Sequence, residues 1–103
     1  NHRQYASSLI LLPDRIVESW GMGGFDALAE GDFETLRALG PEILLLGTGN
    51  RQRFPAPSLL RPLIEARIGY EVMDLPAACR TFNILMAEGR RVAAALLIEA
   101  NPS

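Results

Sequence analysis

The feature that most limits what this chain can fold into is the run Glu42-Ile43-Leu44-Leu45-Leu46, closed by Gly47-Thr48-Gly49-Asn50. Four consecutive large aliphatic residues without polar alternation suit a strand covered on both faces, as in α/β sheets whose crossover helices lie on either side. The run is therefore read as the central strand. Downstream, Ser58 is expected to cap a helix with the apolar stripe Leu59, Leu60, Leu63, Ile64 and Ile68, in which Pro62 falls near the first turn, where a missing N–H costs least. Tyr70 to Met73 reads as the next strand. Asp74 and Pro76 open a helix that runs to about Glu88 and stops at Gly89, and Val92 to Ile98 reads as the last strand. Strand, helix, strand, helix, strand implies crossover units and parallel pairing.

Upstream, Ala6 to Leu12 and Arg15 to Trp20 are β-prone and are split by Pro13-Asp14, which reads as a hairpin. After the flexible stretch Gly21, Gly23, Gly24, Asp32 is expected to cap a short helix over Phe33 to Leu39 ended by Gly40. Trp20 reads as a lid on the core. The predicted fold is thus α/β: a three-layer domain with a central mixed β-sheet, flanking helices and an amino-terminal β-hairpin. At 103 residues it is expected to form a single domain over 1–103.

Charge and composition narrow the function classes. All ten positive charges are Arg, set against twelve carboxylates, for a net charge of −2 and a pI near 5.3. That balance argues against nucleic acid as a partner. The apolar runs Leu9 to Leu12, Ile43 to Leu46 and Val92 to Ile98 fall well short of the ~20 residues of a transmembrane helix. Cys79 is the one cysteine and His2 the one histidine, so zinc-type ligand spacing is absent, and neither a metal nor a cofactor is expected. The chain opens on Asn1 and is expected to lack native amino-terminal residues. A cytoplasmic compartment is the first reading, with a mitochondrial one kept open by that terminus.

Ligands of open α/β sheets collect outside the carboxyl ends of the strands, beside helix amino ends. This places a candidate ligand or partner cleft between the loop Gly47, Thr48, Gly49, Asn50, Arg51 and the helix start Cys79, Arg80, Thr81, Asn83. Each element also has a plain reading. The Gly-Thr-Gly loop matches neither a Walker loop nor a dinucleotide fingerprint and reads first as a turn, Arg51 and Arg53 as solvated, and Glu88 with Arg90 as a helix-end ion pair. Cys79 reads as packed rather than reactive, with Arg80 held by carbonyls or a carboxylate at the cleft mouth. As a nucleophile Cys79 would have only carboxylates such as Asp74 or Glu88 for a base, so no catalytic residue is assigned.

The segments Leu45-Leu46-Gly47-Thr48-Gly49, Phe54-Pro55, Glu71-Val72-Met73, Ala77-Ala78-Cys79-Arg80-Thr81-Phe82-Asn83 and Glu88-Gly89-Arg90-Arg91-Val92-Ala93-Ala94-Ala95-Leu96 carry a resemblance. In order and spacing they resemble the domain-of-unknown-function family 498, which includes mitochondrial complex I assembly factor 3 and bacterial members of unassigned role. The resemblance implies a three-layer fold around a mixed sheet and some twenty further amino-terminal residues, including a first strand. Phe82 departs from the family's Cys-Arg-Thr-Tyr-Asn pattern, which removes the phenolic hydroxyl. By resemblance the role is that of a non-catalytic, protein-binding assembly factor, its partner a respiratory or membrane-associated complex. The alternative is a small anionic-ligand binder or enzyme using the cleft between Gly47–Asn50 and Cys79–Asn83.

Overall fold

A computed structural model describes residues 8–21 and 23–98. Five strands and three helices follow in the order β1 (Leu9–Leu12), β2 (Arg15–Glu18), α1 (Glu30–Ala38), β3 (Ile43–Gly47), α2 (Arg61–Glu65), β4 (Gly69–Met73), α3 (Leu75–Ala87) and β5 (Val92–Leu96). Short 3-10 turns occupy Phe25–Ala27 and Pro57–Leu60. The strands form one mixed sheet in the order β2-β1-β5-β3-β4. β1 pairs antiparallel with both β2 and β5, while β3 pairs parallel with β4 and β5. The hairpin register sets Leu12 opposite Arg15, so Pro13-Asp14 is the two-residue turn expected. Ala6 and Ser7 lie outside the described residues.

The period of two along each strand sorts the core into layers. Leu44, Leu46, Ala93, Ala95 and Leu97 point to one face, where they pack with Phe33, Leu36, Leu60 and Leu63 of the α1–α2 side. Leu45, Val92, Ala94 and Leu96 point to the other, against Ala78 and Phe82 of α3. A path out from β3 to β4 over one face and back from β4 to β5 over the other is what two right-handed crossovers require. Trp20 is buried as a lid: its indole Nε1 donates to the Asp32 carbonyl at 3.0 Å, and its ring meets Phe33 edge-on, with centroids 6.4 Å apart.

Several boundaries differ from expectation. β5, not β3, occupies the middle of the sheet, and all five of its residues are buried; β3 lies one place toward the edge. α1 begins at Glu30 with Ala29 at its cap position, and Asp32 serves from inside the first turn. Its carboxylate accepts from the Ala29 N–H at 2.8 Å, while the Asp32 N–H donates to the Ala29 carbonyl. An aspartate three residues into a helix can satisfy the orphan amide behind it, which leaves the cap itself free to be alanine. Ser58 caps nothing, because Pro62 lacks the N–H that would continue an α-helix back over it. The tighter 3-10 turn fills 57–60 and α2 starts afresh with Pro62 in its first turn. α3 follows expectation: the Asp74 carboxylate caps Ala77 N–H at 2.9 Å, and Gly89 leaves the helix with φ +82°.

Arg90 pairs with Glu42 rather than Glu88. Its Nη2 donates to Glu42 Oε2 at 3.2 Å, and the Arg91 N–H donates to Oε1 at 3.1 Å, tying the starts of β3 and β5. The Arg90 side-chain bond, followed by the Arg91 backbone bond, holds the Glu42 carboxyl below its ordinary value of 4.5. A carboxyl lowered in the folded state adds stability that is present above its unfolded pKa and is lost as pH falls through the folded one. Glu42→Gln is therefore expected to lower the midpoint of urea unfolding slightly at pH 7, and by less as the pH falls toward 3, the pair being partly exposed and screened by solvent. A wild-type/variant difference that persists unchanged at pH 3 would contradict this assignment.

Candidate functional site

The parallel strands β3 and β4 send their connections to opposite faces of the sheet, so the crevice at which α/β ligands settle lies between Gly47 and Met73. Here the chain's own loop is bonded to the ends of the neighbouring elements. Thr48 N–H donates to the Met73 carbonyl at 2.9 Å, Gln52 Nε2 donates to the Val72 carbonyl at 2.8 Å, and Leu75 N–H donates to the Gly49 carbonyl at 2.7 Å. Thr48 organises the loop. Fully buried, its hydroxyl donates to the Arg51 carbonyl at 2.7 Å and accepts from Arg53 N–H at 2.9 Å. Gly49 takes φ +91°, a conformation that favours glycine, which sets its carbonyl for Leu75.

The sequence places Gly47–Asn50 and Cys79–Asn83 as two walls, and the structure joins the loop to α3 one turn earlier. A Cβ on Gly47 would lie 2.9 Å from Ala78 Cβ, 3.0 Å from Leu96 Cδ2 and 3.5 Å from Leu75 Cα, so glycine is what lets the helix seat on β3. From Leu75 the helix descends away from the loop at 1.5 Å per residue, which sets Asn83 roughly 12 Å further down its axis. Cys79 is half-buried against the α3-side core and Thr81 is half-buried, whereas Arg80 and Asn83 are exposed. Arg80 has no hydrogen-bond or ion-pair partner among the described residues, contrary to the expectation that carbonyls or a carboxylate hold it. Asn50 and Arg51 are exposed.

Arg53 departs from its solvated reading: half-buried, it donates from Nη2 to the Thr48 carbonyl at 2.9 Å and stacks 4.6 Å from the centre of the Phe25 ring. That cation–π contact spans 28 positions in sequence, and no local pattern marks it. A threonine between two glycines was the only available signal for the loop's organiser.

A mixed sheet with helices on both faces, its two parallel crossovers lying on opposite sides, defines a three-layer α/β domain of doubly wound type. Comparison with known proteins gives its family: residues 1–97 match the family described as protein of unknown function (DUF498/DUF598), and the chain belongs to it. A Bos taurus protein named NADH dehydrogenase [ubiquinone] 1 alpha subcomplex assembly factor 3 is 40% identical over 89 residues, covering 84% of this chain and 48% of that protein. The Homo sapiens protein of the same name is 38% identical, also over 89 residues, with the same coverage. The chain thus spans about half the length of these relatives. Among solved structures, a Bordetella parapertussis protein superposes with a TM-score of 0.81 at 41% identity, covering 90% of this chain and 80% of that one. A Bordetella pertussis protein described as an Mth938-like domain gives a TM-score of 0.75 at 33% identity, with 90% and 74% covered. No helix among the described residues is long and apolar enough to cross a membrane.

Replacing Thr48 by valine keeps its volume but leaves the Arg51 carbonyl and Arg53 N–H without their shared hydroxyl. Unpaired buried polar groups cost about 1–3 kcal/mol. Thr48→Val is expected to lose stability in that range by urea denaturation, and a loss indistinguishable from zero would show that the loop is not held this way.

Proposed function

We infer that this chain is an accessory, protein-binding domain of assembly-factor type, acting without catalysis of its own. The observation that carries this reading is the 40% identity over 89 residues to a protein named as an assembly factor of NADH dehydrogenase. Two features of the chain support it. At the crevice that receives a small ligand in this topology, the loop 48–52 spends its hydrogen bonds on itself, on the end of β4 and on the start of α3. Large apolar side chains, Ile16, Phe54, Ile64 and Ile84, each stand more than half exposed on the surface, and exposed apolar area is what protein contacts consume. A respiratory or membrane-associated complex is the proposed partner. Tagged full-length protein, captured from its own cells after cross-linking, is expected to bring down a defined partner complex in reproducible stoichiometry. Recovery of the free protein alone, across repeated cross-linked captures, would reject the reading.

The close approach of Gly47 to Ala78 sets the loop beside the start of α3 and leaves room for a second reading, a small anionic-ligand binder or enzyme using a cleft between the loop Gly47–Asn50 and the helix start Cys79–Asn83. Titration with inorganic phosphate, followed by amide NMR shifts, separates the two. The first reading expects no saturable shifts at 48–51 and 77–83. Saturable shifts there that vanish in Arg80→Ala would instead support the second.

A further inference from the structure

At the opposite end of the sheet from the loop 47–52, a cleft of about 480 Å³ opens between the hairpin turn, the connection from α1 to β3 and the start of β5. Its volume falls within the roughly 300–1,000 Å³ typical of small-molecule sites. Leu12, Leu39, Pro41 and Val92 supply apolar walls, and Arg15 and Arg91 stand on two separate elements that border it. We propose that this cleft binds a monocarboxylate carried on an apolar body, with the carboxylate held by Arg15 and Arg91 and the body laid against Leu12 and Leu39.

The charges around the cleft select this ligand class. Arg37 is paired with Glu34 and Arg90 with Glu42, whereas the Arg15 and Arg91 guanidinium groups make no hydrogen bond or ion pair among the described residues, Arg91 feeling Glu42 only through space. Glu42 lies near Arg91, but its two oxygens are already engaged by Arg90 Nη2 and the Arg91 N–H. Asp14 also lines the cleft, so two guanidinium groups face one carboxylate and leave a net charge of one. That suits a monoanion better than phosphate. The carboxyl end of α1 at Leu39–Gly40 presents carbonyls of partial negative charge, which would turn an anionic head away toward the hairpin and β5 and leave the α1 side to the apolar body. Guanidinium–carboxylate bonds supply the affinity that an open cleft of this size would otherwise lack.

The test is titration of the folded protein at pH 7 with octanoate, octanol and inorganic phosphate in turn, read by amide NMR shifts. Octanoate is expected to give saturable shifts at Leu12, Asp14, Arg15, Leu39, Gly40, Arg91 and Val92. Arg15→Gln and Arg91→Gln should each weaken it about tenfold, the loss of a charge-assisted hydrogen bond. Both side chains are exposed, so the spectra of the free variants should otherwise match the wild type. Equal binding of octanol would overturn the role of the arginines, and equal binding of phosphate the role of the apolar walls. Octanoate shifts confined to 47–51 and 79–83, or absent at saturating concentration, would overturn the proposal outright.

Discussion

The burial of β5 on all sides is the constraint on which the rest of the structure depends. It pairs with β1 on one edge and β3 on the other, and helices cover both its faces. Its middle residues are Ala93, Ala94 and Ala95. Small side chains let flanking layers approach closely, and larger ones would force the helices apart or into unfavourable rotamers. The same requirement appears on β3, where Gly47 admits Ala78 and Leu75 of α3. The α3 layer is thus seated on Ala94 of β5 and Gly47 of β3, with Phe82 and Leu45 filling the space around them, while Ala93 and Ala95 serve the α1–α2 face.

That seating determines what the carboxyl end of the sheet can do. With α3 drawn down onto Gly47, its first residue meets the Gly49 carbonyl, and the loop after β3 becomes part of the wall. Thr48 and Gln52 then spend their hydrogen bonds on loop and strand carbonyls. At the crevice that in other doubly wound domains receives a ligand, the loop is here bonded to the ends of β4 and α3. The open cleft lies instead at the amino ends of the parallel strands, where the hairpin turn and the α1–β3 connection diverge.

Much of the fold was legible in local chemistry. The hairpin at Pro13-Asp14, the strand at 43–46, the Asp74 cap and the stop at Gly89 each depend on residues within a few positions of one another, and each stands where the pattern put it. The misplacements share a cause. Asp32 and Ser58 are both good capping residues, but Asp32 lies inside the helix it was expected to begin and Ser58 in the 3-10 turn ahead of α2. Propensity names the residue that can cap and not where the helix starts: α1 begins at Glu30, one turn ahead of the buried Phe33 and Leu36.

By itself, then, the sequence determined the element types, the need for a strand covered on both faces, and the class of the domain, because hydrophobic period and turn chemistry act over a few residues. Tertiary structure alone decided the strand order that makes β5 central, the pairing of Arg90 with Glu42, the stacking of Arg53 on Phe25 and the meeting of Arg15 and Arg91 at one cleft. Those pairs are separated by 28 to 76 positions in the chain, and nothing local distinguishes a guanidinium that will find a distant partner from one that will stay in water. Their placement follows from how the sheet is ordered, and the order is settled by which strands can be buried from every side at once.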